Sequence, residues 1–112
     1  MITMETKRKK WKICIEYFKN CEYIYPTQQR KVKMFLDHLS SNPNVISITI
    51  FGSSVTSRCT NESDLDVYVE LKENVKLIKK YFDFSYDLWT NFTVDKRMKE
   101  EIKKNGLVVY EQ

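Results

Sequence analysis

Two short apolar runs with the period of β-strands constrain this chain more than any other feature. The run VISITIF, from Val45 to Phe51, is rich in β-branched and aromatic residues and predicts a strand. The run DLDVYVEL, from Asp64 to Leu71, alternates polar and apolar residues, which predicts a second strand with two different faces. The apolar face consists of Leu65, Val67, Val69 and Leu71, and the other face carries Asp64, Asp66, Tyr68 and Glu70.

Segments with a helical period surround these strands. Residues 1–25 predict a basic amphipathic helix, and the proline of YIYPTQQ separates it from a second helix. The apolar face of that second helix consists of Val32, Phe35, Leu36 and Leu39. A third helix is predicted over residues 73–82, with Val75, Ile78 and Phe82 as candidates to point inward.

The C-terminal third predicts two more strands and one more helix. FSYDLWT (84–90) and LVVY (107–110) read as strands, and TVDKRMKEEIKKNG between them reads as a helix. Gly106 stands where a left-handed C-terminal cap is expected. The predicted fold class is α/β (α+β), with a small mixed sheet of about four strands and helices packed mainly on one face.

Length and composition predict one domain, residues 1–112, with an N-terminal helix (1–25) and a core (26–112). No apolar run is long enough to cross a membrane, and no secretory signal is recognised, so we expect a cytoplasmic protein. The three cysteines form no CxxC pair, which favours free thiols over a zinc site. Residues 1–33 carry nine lysines and arginines against three acids, which indicates a solvated helix face or a surface for an acidic partner.

The acidic face of the second strand calls for a chemical explanation. Asp64 and Asp66 are two residues apart, so their backbones lie about 7 Å from each other on one face. A divalent cation relieves the repulsion between such carboxylates, and Mg²⁺ is commonly held by one or two carboxylates together with substrate phosphates. Asp87, on a separate strand, is the natural third ligand if the two strands are neighbours. Three carboxylates around two metal ions suit phosphoryl or nucleotidyl transfer.

The Gly52-Ser53 pair before this strand suits a phosphate. Glycine permits a close approach of the backbone to a ligand. Exposed amides at the start of a short helix or turn, predicted over residues 53–58, can bind phosphate oxygens. A triphosphate could therefore lie between this turn and metal ions on Asp64 and Asp66.

The stretch GSSVTSRCTNESDLDV, with YDL about twenty residues later, resembles the nucleotidyltransferase superfamily related to DNA polymerase β. The resemblance covers about residues 28–111, and the short length points to the minimal nucleotidyltransferases, or MNT proteins. Those proteins are often paired with HEPN-domain partners as toxin–antitoxin systems. The resemblance implies the nucleotidyltransferase fold and the transfer of a nucleoside monophosphate to a hydroxyl acceptor, with AMP from ATP favoured over another NTP. It also implies that the acceptor is a side-chain hydroxyl of a partner protein, which would make the chain the antitoxin of a HEPN/MNT-type pair.

The resemblance also implies a role for each matching residue. Gly52 and Ser53 would contact the triphosphate, and Ser63 would orient the turn before the first aspartate. Asp64, Asp66 and Asp87 would hold two Mg²⁺ ions, or Mn²⁺ in their place, and Asp87 would also help deprotonate the acceptor. The family pattern G-S-x-A-R-G is not kept, because Thr56 and Ser57 replace its arginine and second glycine. Arg58 is the substitute phosphate contact, two positions out of register.

Two other functions stay open at this point. The fold could act without turnover, as a module that neutralises a HEPN-type or other protein partner by binding it. The basic N-terminal stripe could also serve a small nucleic-acid binder, whose affinity would fall steeply with salt. The sequence names neither the acceptor nor the oligomeric state.

Overall fold

The computed structural model describes residues 18–55, 64–77 and 82–112. The predicted N-terminal helix, apart from Phe18, lies outside the described residues. The elements, in chain order, are a first 3-10 helix (Cys21–Tyr23), α1 (Pro26–Leu39), β1 (Val45–Phe51), a second 3-10 helix (Gly52–Val55), β2 (Leu65–Leu71), β3 (Tyr86–Thr90), α2 (Lys96–Asn105) and β4 (Leu107–Glu111).

The four strands form one mixed sheet in the order β3-β2-β1-β4. β1 pairs antiparallel with β2 and with β4, whereas β2 and β3 run parallel. The predicted fold class, with its small mixed sheet of about four strands, is confirmed. The parallel pairing also brings the N-terminal ends of β2 and β3, which carry the aspartates, to the same end of the sheet.

The main core lies between α1 and one face of the sheet. α1 begins at Pro26, whose fixed φ suits the first helical position, and its predicted apolar face is buried. Phe35 is fully buried and stacks on Phe82, with ring centroids 4.7 Å apart. It also meets the ring of Tyr86 edge-on, at 4.9 Å. α1 is thereby packed against the strand that carries Asp87.

A smaller core lies on the opposite face of the sheet, under α2. Ile102 of α2 is buried with Phe51 and Tyr68, and Trp89 packs against this cluster. The two described α-helices therefore lie on opposite faces of the sheet, rather than mainly on one face, and the larger core is on the α1 face. Asp95 caps the N-terminus of α2: its carboxylate accepts a hydrogen bond of 2.7 Å from the amide of Met98.

Two local predictions are wrong. Gly106 is extended (φ −73°, ψ 157°) rather than left-handed, because the chain continues directly into β4. A side chain at this position would clash with the Ile102 carbonyl, so the close approach explains the glycine. Residues 72–77 are not helical, and the side chain of Val75 is 44% exposed instead of pointing inward. Residues 78–81 of the same predicted helix lie outside the described residues.

Across the described ranges, no helix has the length and apolar character needed to span a membrane.

Candidate active site

The register between β2 and β3 places two aspartates side by side. Asp66 and Asp87 are Cα partners across the parallel pair, so their side chains share a face on strands about 4.8 Å apart. Asp64 directly precedes β2 and has the same parity as Asp66. Asp64 and Asp87 are exposed, whereas Asp66 lies deeper and is partly buried. The three carboxylates predicted from the sequence therefore lie together at one end of the sheet.

The closeness of these carboxylates affects the electrostatics of Asp66. Burial, and then the negative charges of Asp87 and Asp64, raise the pKa of the Asp66 carboxyl from 3.8 to about 6. Burial disfavours a charged group, and two like-charged neighbours disfavour it further. A positive charge placed among the three side chains would oppose both effects and favour the ionised carboxylates.

Gly52 lies directly against this acidic group. Phe51, the residue before it, is the Cα partner of Asp66 across β1 and β2. Gly52 has a φ of +75°, a left-handed conformation that side chains disfavour. A Cβ atom at this position would overlap the Oδ2 atom of Asp66. Glycine is thus needed twice here, for its backbone conformation and for the space that Asp66 occupies.

The turn that follows is a 3-10 helix of four residues, Gly52–Val55. The predicted short helix or turn is confirmed as far as Val55, and Ser53 lies within it, one residue from Gly52. Arg58 and Ser63 lie outside the described residues, so their predicted phosphate contact and turn-orienting role stay predictions.

The donor set fits a magnesium ion that is shared with a phosphate. Carboxylate oxygens are ligands that Mg²⁺ prefers, and the ion commonly uses one or two of them with substrate phosphates completing its shell. Among residues 18–55, 64–77 and 82–112, no group of three or more His, Cys, Asp or Glu side chains is arranged to hold an ion by itself. A site formed by Asp64, Asp66 and Asp87 would therefore need oxygen ligands from the substrate as well.

Two aromatic side chains, Tyr68 and Trp89, lie further along this face of the sheet. Tyr68 is buried two residues beyond Asp66, and its hydroxyl donates a hydrogen bond of 2.6 Å to Oε1 of Glu70. Burial, and then this hydrogen bond and the charge of Glu70, raise the pKa of Tyr68 above its ordinary value, so the phenol keeps its proton. Trp89, the Cα partner of Tyr68 on β3, packs beside it.

Sequence reasoning missed two buried polar residues, Gln28 of α1 and Ser54 within the Gly52–Val55 turn. Both side chains are inaccessible to solvent, and Nε2 of Gln28 donates a hydrogen bond of 3.1 Å to Oγ of Ser54. A signal was present, because Gln28 lies four residues before Val32 and so on the apolar stripe of α1. A polar residue on such a stripe indicates a specific buried partner.

Comparison with known families gives one match that covers most of the chain. Residues 31–112 match the family model described as polymerase beta, nucleotidyltransferase. No curated protein matches the chain.

Solved structures with the same fold include several toxin–antitoxin complexes. A structure of a toxin–antitoxin with AMP-PNP matches with a TM-score of 0.59 at 17% identity, over 76% of this chain and 73% of that one. A tri-AMPylated Shewanella oneidensis HEPN toxin in complex with MNT antitoxin matches with a TM-score of 0.57 at 19% identity and the same coverage. A mutant toxin–antitoxin MntA-HpeT matches with a TM-score of 0.58 at 15% identity, again over 76% and 73%. At these identities the similarity establishes the fold.

Proposed function

Because the chain belongs to the polymerase beta nucleotidyltransferase family, we propose that it transfers AMP from ATP to a hydroxyl group of another molecule. The observation that carries this proposal is the pairing of Asp66 with Asp87 across β2 and β3, with Asp64 beside them and the Gly52 turn in contact. A nucleotide triphosphate laid across this end of the sheet would meet the turn and the carboxylates together.

Each residue has a role that follows from its position. Asp64 and Asp66 would hold Mg²⁺ with oxygens of the triphosphate, and Asp87 would hold it from the neighbouring strand. Two Mg²⁺ ions, or Mn²⁺ in their place, supply positive charge that neutralises the reacting phosphate. The amides of the turn that begins at Gly52 would bind phosphate oxygens, as backbone amides of such turns commonly do.

The reaction forms one bond and breaks another. The acceptor oxygen bonds to the α-phosphorus, the bond from that phosphorus to the bridging oxygen breaks, and pyrophosphate leaves. Asp87 accepts the proton of the attacking hydroxyl. Asp87 is exposed on β3, an outer strand of the sheet formed by residues 45–51, 65–71, 86–90 and 107–111, so an acceptor on a separate molecule can reach it.

For the acceptor we propose a side-chain hydroxyl of a HEPN-type protein, which would make this chain the antitoxin of a toxin–antitoxin pair. Support comes from structures of the same fold, one described as an AMPylated HEPN toxin with an MNT antitoxin and another as a toxin–antitoxin with AMP-PNP.

The test is transfer of label from α-labelled ATP to a HEPN-type protein in the presence of Mg²⁺. We expect Asp87→Asn to lower the transfer rate by a factor of about 100 or more, because proton acceptance and a metal ligand are both lost. Asp83→Asn is the matched control: Asp83 is exposed, lies four residues earlier, and forms an ion pair with Arg30 at 3.6 Å. The control should transfer label at the wild-type rate.

Label transfer that survives Asp87→Asn unchanged would contradict the proposed chemistry. Tight binding of the HEPN-type protein without any transfer by the wild type would support a non-catalytic binding module instead. Calorimetry with Mg-ATP distinguishes the transferase from the binding module, because the transferase must bind the nucleotide and the binding module need not.

A further inference from the structure

Gln28 is an uncharged polar residue buried where the apolar face of α1 begins. Its side chain has no solvent exposure, and it lies in the first turn of the helix Pro26–Leu39. Burial of an amide costs free energy unless the amide finds hydrogen-bond partners. The neighbouring core residues Val32 and Phe35 are apolar, so the partner of the Gln28 side chain matters to this site.

That partner lies in the turn that follows Gly52. Nε2 of Gln28 donates to Oγ of Ser54 at 3.1 Å, and the side chain of Ser54 is itself inaccessible to solvent. The amide of Tyr25, the residue before α1, donates to the carbonyl oxygen of Ser54 at 3.0 Å. The start of α1 is therefore joined to Ser54 by two hydrogen bonds, one to the Ser54 hydroxyl and one to its backbone carbonyl oxygen.

The Gly52–Val55 turn is thus fixed from two directions. On one side Gly52 packs against Oδ2 of Asp66, and on the other side Ser54 is hydrogen-bonded to the start of α1. The amides that would meet the triphosphate lie between these two anchors. A small displacement of a group that orients a substrate can cost a large factor in rate or affinity.

We propose that Gln28 is a positioning residue, which holds the Gly52–Val55 turn in the conformation that binds the nucleotide phosphates. This inference rests on the proposed function, because it concerns the same site. Gln28 would act through Ser54 and would not itself touch the nucleotide.

The next glutamine in the sequence provides a matched control. Gln29 is also buried, at 7% exposure, and its Nε2 also donates hydrogen bonds. Its acceptors, however, are the carbonyl oxygens of Cys21 (3.2 Å) and Ile24 (2.9 Å), which belong to the segment before α1. Gln28→Met and Gln29→Met each remove buried amide hydrogen bonds at nearly constant volume. Only Gln28→Met removes a hydrogen bond to the Gly52–Val55 turn.

The experiment measures the affinity for AMP-PNP with Mg²⁺ by calorimetry and the steady-state transfer of AMP. We expect Gln28→Met to weaken AMP-PNP binding about tenfold, or about 1.4 kcal/mol, and to raise KM for ATP by a similar factor. The kcat at saturating ATP should stay within about threefold of wild type, because the carboxylates are untouched. Gln29→Met should lower the melting temperature comparably, yet bind AMP-PNP within about twofold of wild type.

A double-mutant cycle with Ser54→Ala tests whether Gln28 acts through Ser54. The Gln28→Met/Ser54→Ala protein should bind AMP-PNP no more weakly than the weaker single variant. Equal losses of affinity in Gln28→Met and Gln29→Met would overturn the inference, and so would effects of Gln28→Met and Ser54→Ala that add.

These outcomes are distinct from failure of the proposed function. A wild-type protein that binds AMP-PNP but transfers AMP to no hydroxyl would refute the transfer reaction, while the binding data still decide the role of Gln28. A wild-type protein that does not bind AMP-PNP would refute both.

Discussion

Asp66 is the residue at which folding and the proposed chemistry make opposite demands. Its carboxylate is partly buried and faces two other acids, which is unfavourable for the folded protein without a cation. The same crowding is what favours the binding of a cation. Gly52 accommodates this crowding: it has a left-handed backbone, and its lack of a side chain leaves room for the Asp66 carboxylate.

The first prediction concerns the stability of Asp66→Asn without metal. The folded-state pKa of Asp66 is raised from 3.8 to about 6, so between these values the folded protein holds a proton that the unfolded chain has lost. The free energy of unfolding should therefore fall as the pH rises through this window, and the loss is complete above it. At neutral pH in EDTA, Asp66→Asn should be more stable than wild type by about 1 kcal/mol, a figure reduced for the partial exposure of the group.

Urea unfolding at several pH values checks this prediction. The advantage of Asp66→Asn should shrink as the pH falls through the window and disappear at about pH 3, below both pKa values, where wild-type Asp66 is protonated in both states. A variant less stable than wild type at neutral pH would show that the carboxylate is stabilised by contacts other than those described.

The second prediction concerns Gly52→Ala. The left-handed φ costs a side chain about 1–2 kcal/mol, and the overlap with Asp66 adds to this cost. We expect a loss of at least about 2 kcal/mol in urea unfolding for the single variant. In an Asp66→Ala background the overlap is relieved, so the same change should cost only about 1 kcal/mol. An equal cost in both backgrounds would mean that Asp66 does not restrict position 52.

Of the two α-helices that the structure describes, α2 buries fewer residues against the rest of the molecule. Ile102 is its one buried residue, and the helix is otherwise rich in exposed charges. Its N-terminus depends on Asp95, which accepts the amide hydrogen bond of Met98. α1, by contrast, is anchored by a row of buried apolar residues and by the Phe35 ring contacts.

The third prediction follows from this cap. Asp95→Ala should lower the free energy of unfolding by about 1 kcal/mol, because the first turn of α2 loses the acceptor for an amide. Asp95→Asn keeps a capping oxygen, and should cost at most a few tenths of a kcal/mol. Thermal unfolding followed by circular dichroism compares the two variants, and equal losses would exclude the cap as the cause.

At the scale of the whole molecule, the sheet brings together residues that are distant in sequence. Asp66 and Asp87 become neighbours only because β3 adds to the sheet parallel to β2, and Gly52 reaches them because β1 pairs with β2 on its other side. The site is therefore complete only in the folded chain. A ligand that binds this site must stabilise the folded state against the unfolded one.

The fourth prediction is a thermal shift that needs both metal and nucleotide. ATP with Mg²⁺, at about 100 times its dissociation constant, adds about 2.7 kcal/mol, which corresponds to a rise of roughly 10 °C for a domain of this size. ATP with EDTA should give a much smaller rise, since phosphate oxygens and carboxylates repel each other. Asp66→Asn should lose most of the rise with Mg²⁺. A rise that EDTA does not affect would contradict a metal-assisted site.

The features that the sequence predicted correctly depend on the local pattern of polar and apolar residues. The alternation in β2 placed Asp64 and Asp66 on one face, and the position of Asp87 in a later strand made it a neighbour once that strand joined the sheet. The structure confirms the placement of these residues, while their chemical roles stay predictions.

The predictions that failed, and the contact that was missed, depend on tertiary context. Val75 follows a helical pattern but is exposed in a non-helical segment. Gly106 meets the pattern of a helix cap, yet the immediate start of β4 requires it to be extended. The bond from Gln28 to Ser54 joins residues 26 positions apart, and nothing in the local pattern of either residue identifies the other.

Because Gly52 contacts Asp66, a glycine at position 52 in evolutionary descendants of this protein says little about whether they are catalytically active. A lineage that abandoned catalysis but kept the aspartate would still suffer steric conflict from any larger residue at position 52. Retention of the glycine during evolution is therefore weak evidence that turnover persists. Divergence at both positions together would be the clearer mark of a lost activity.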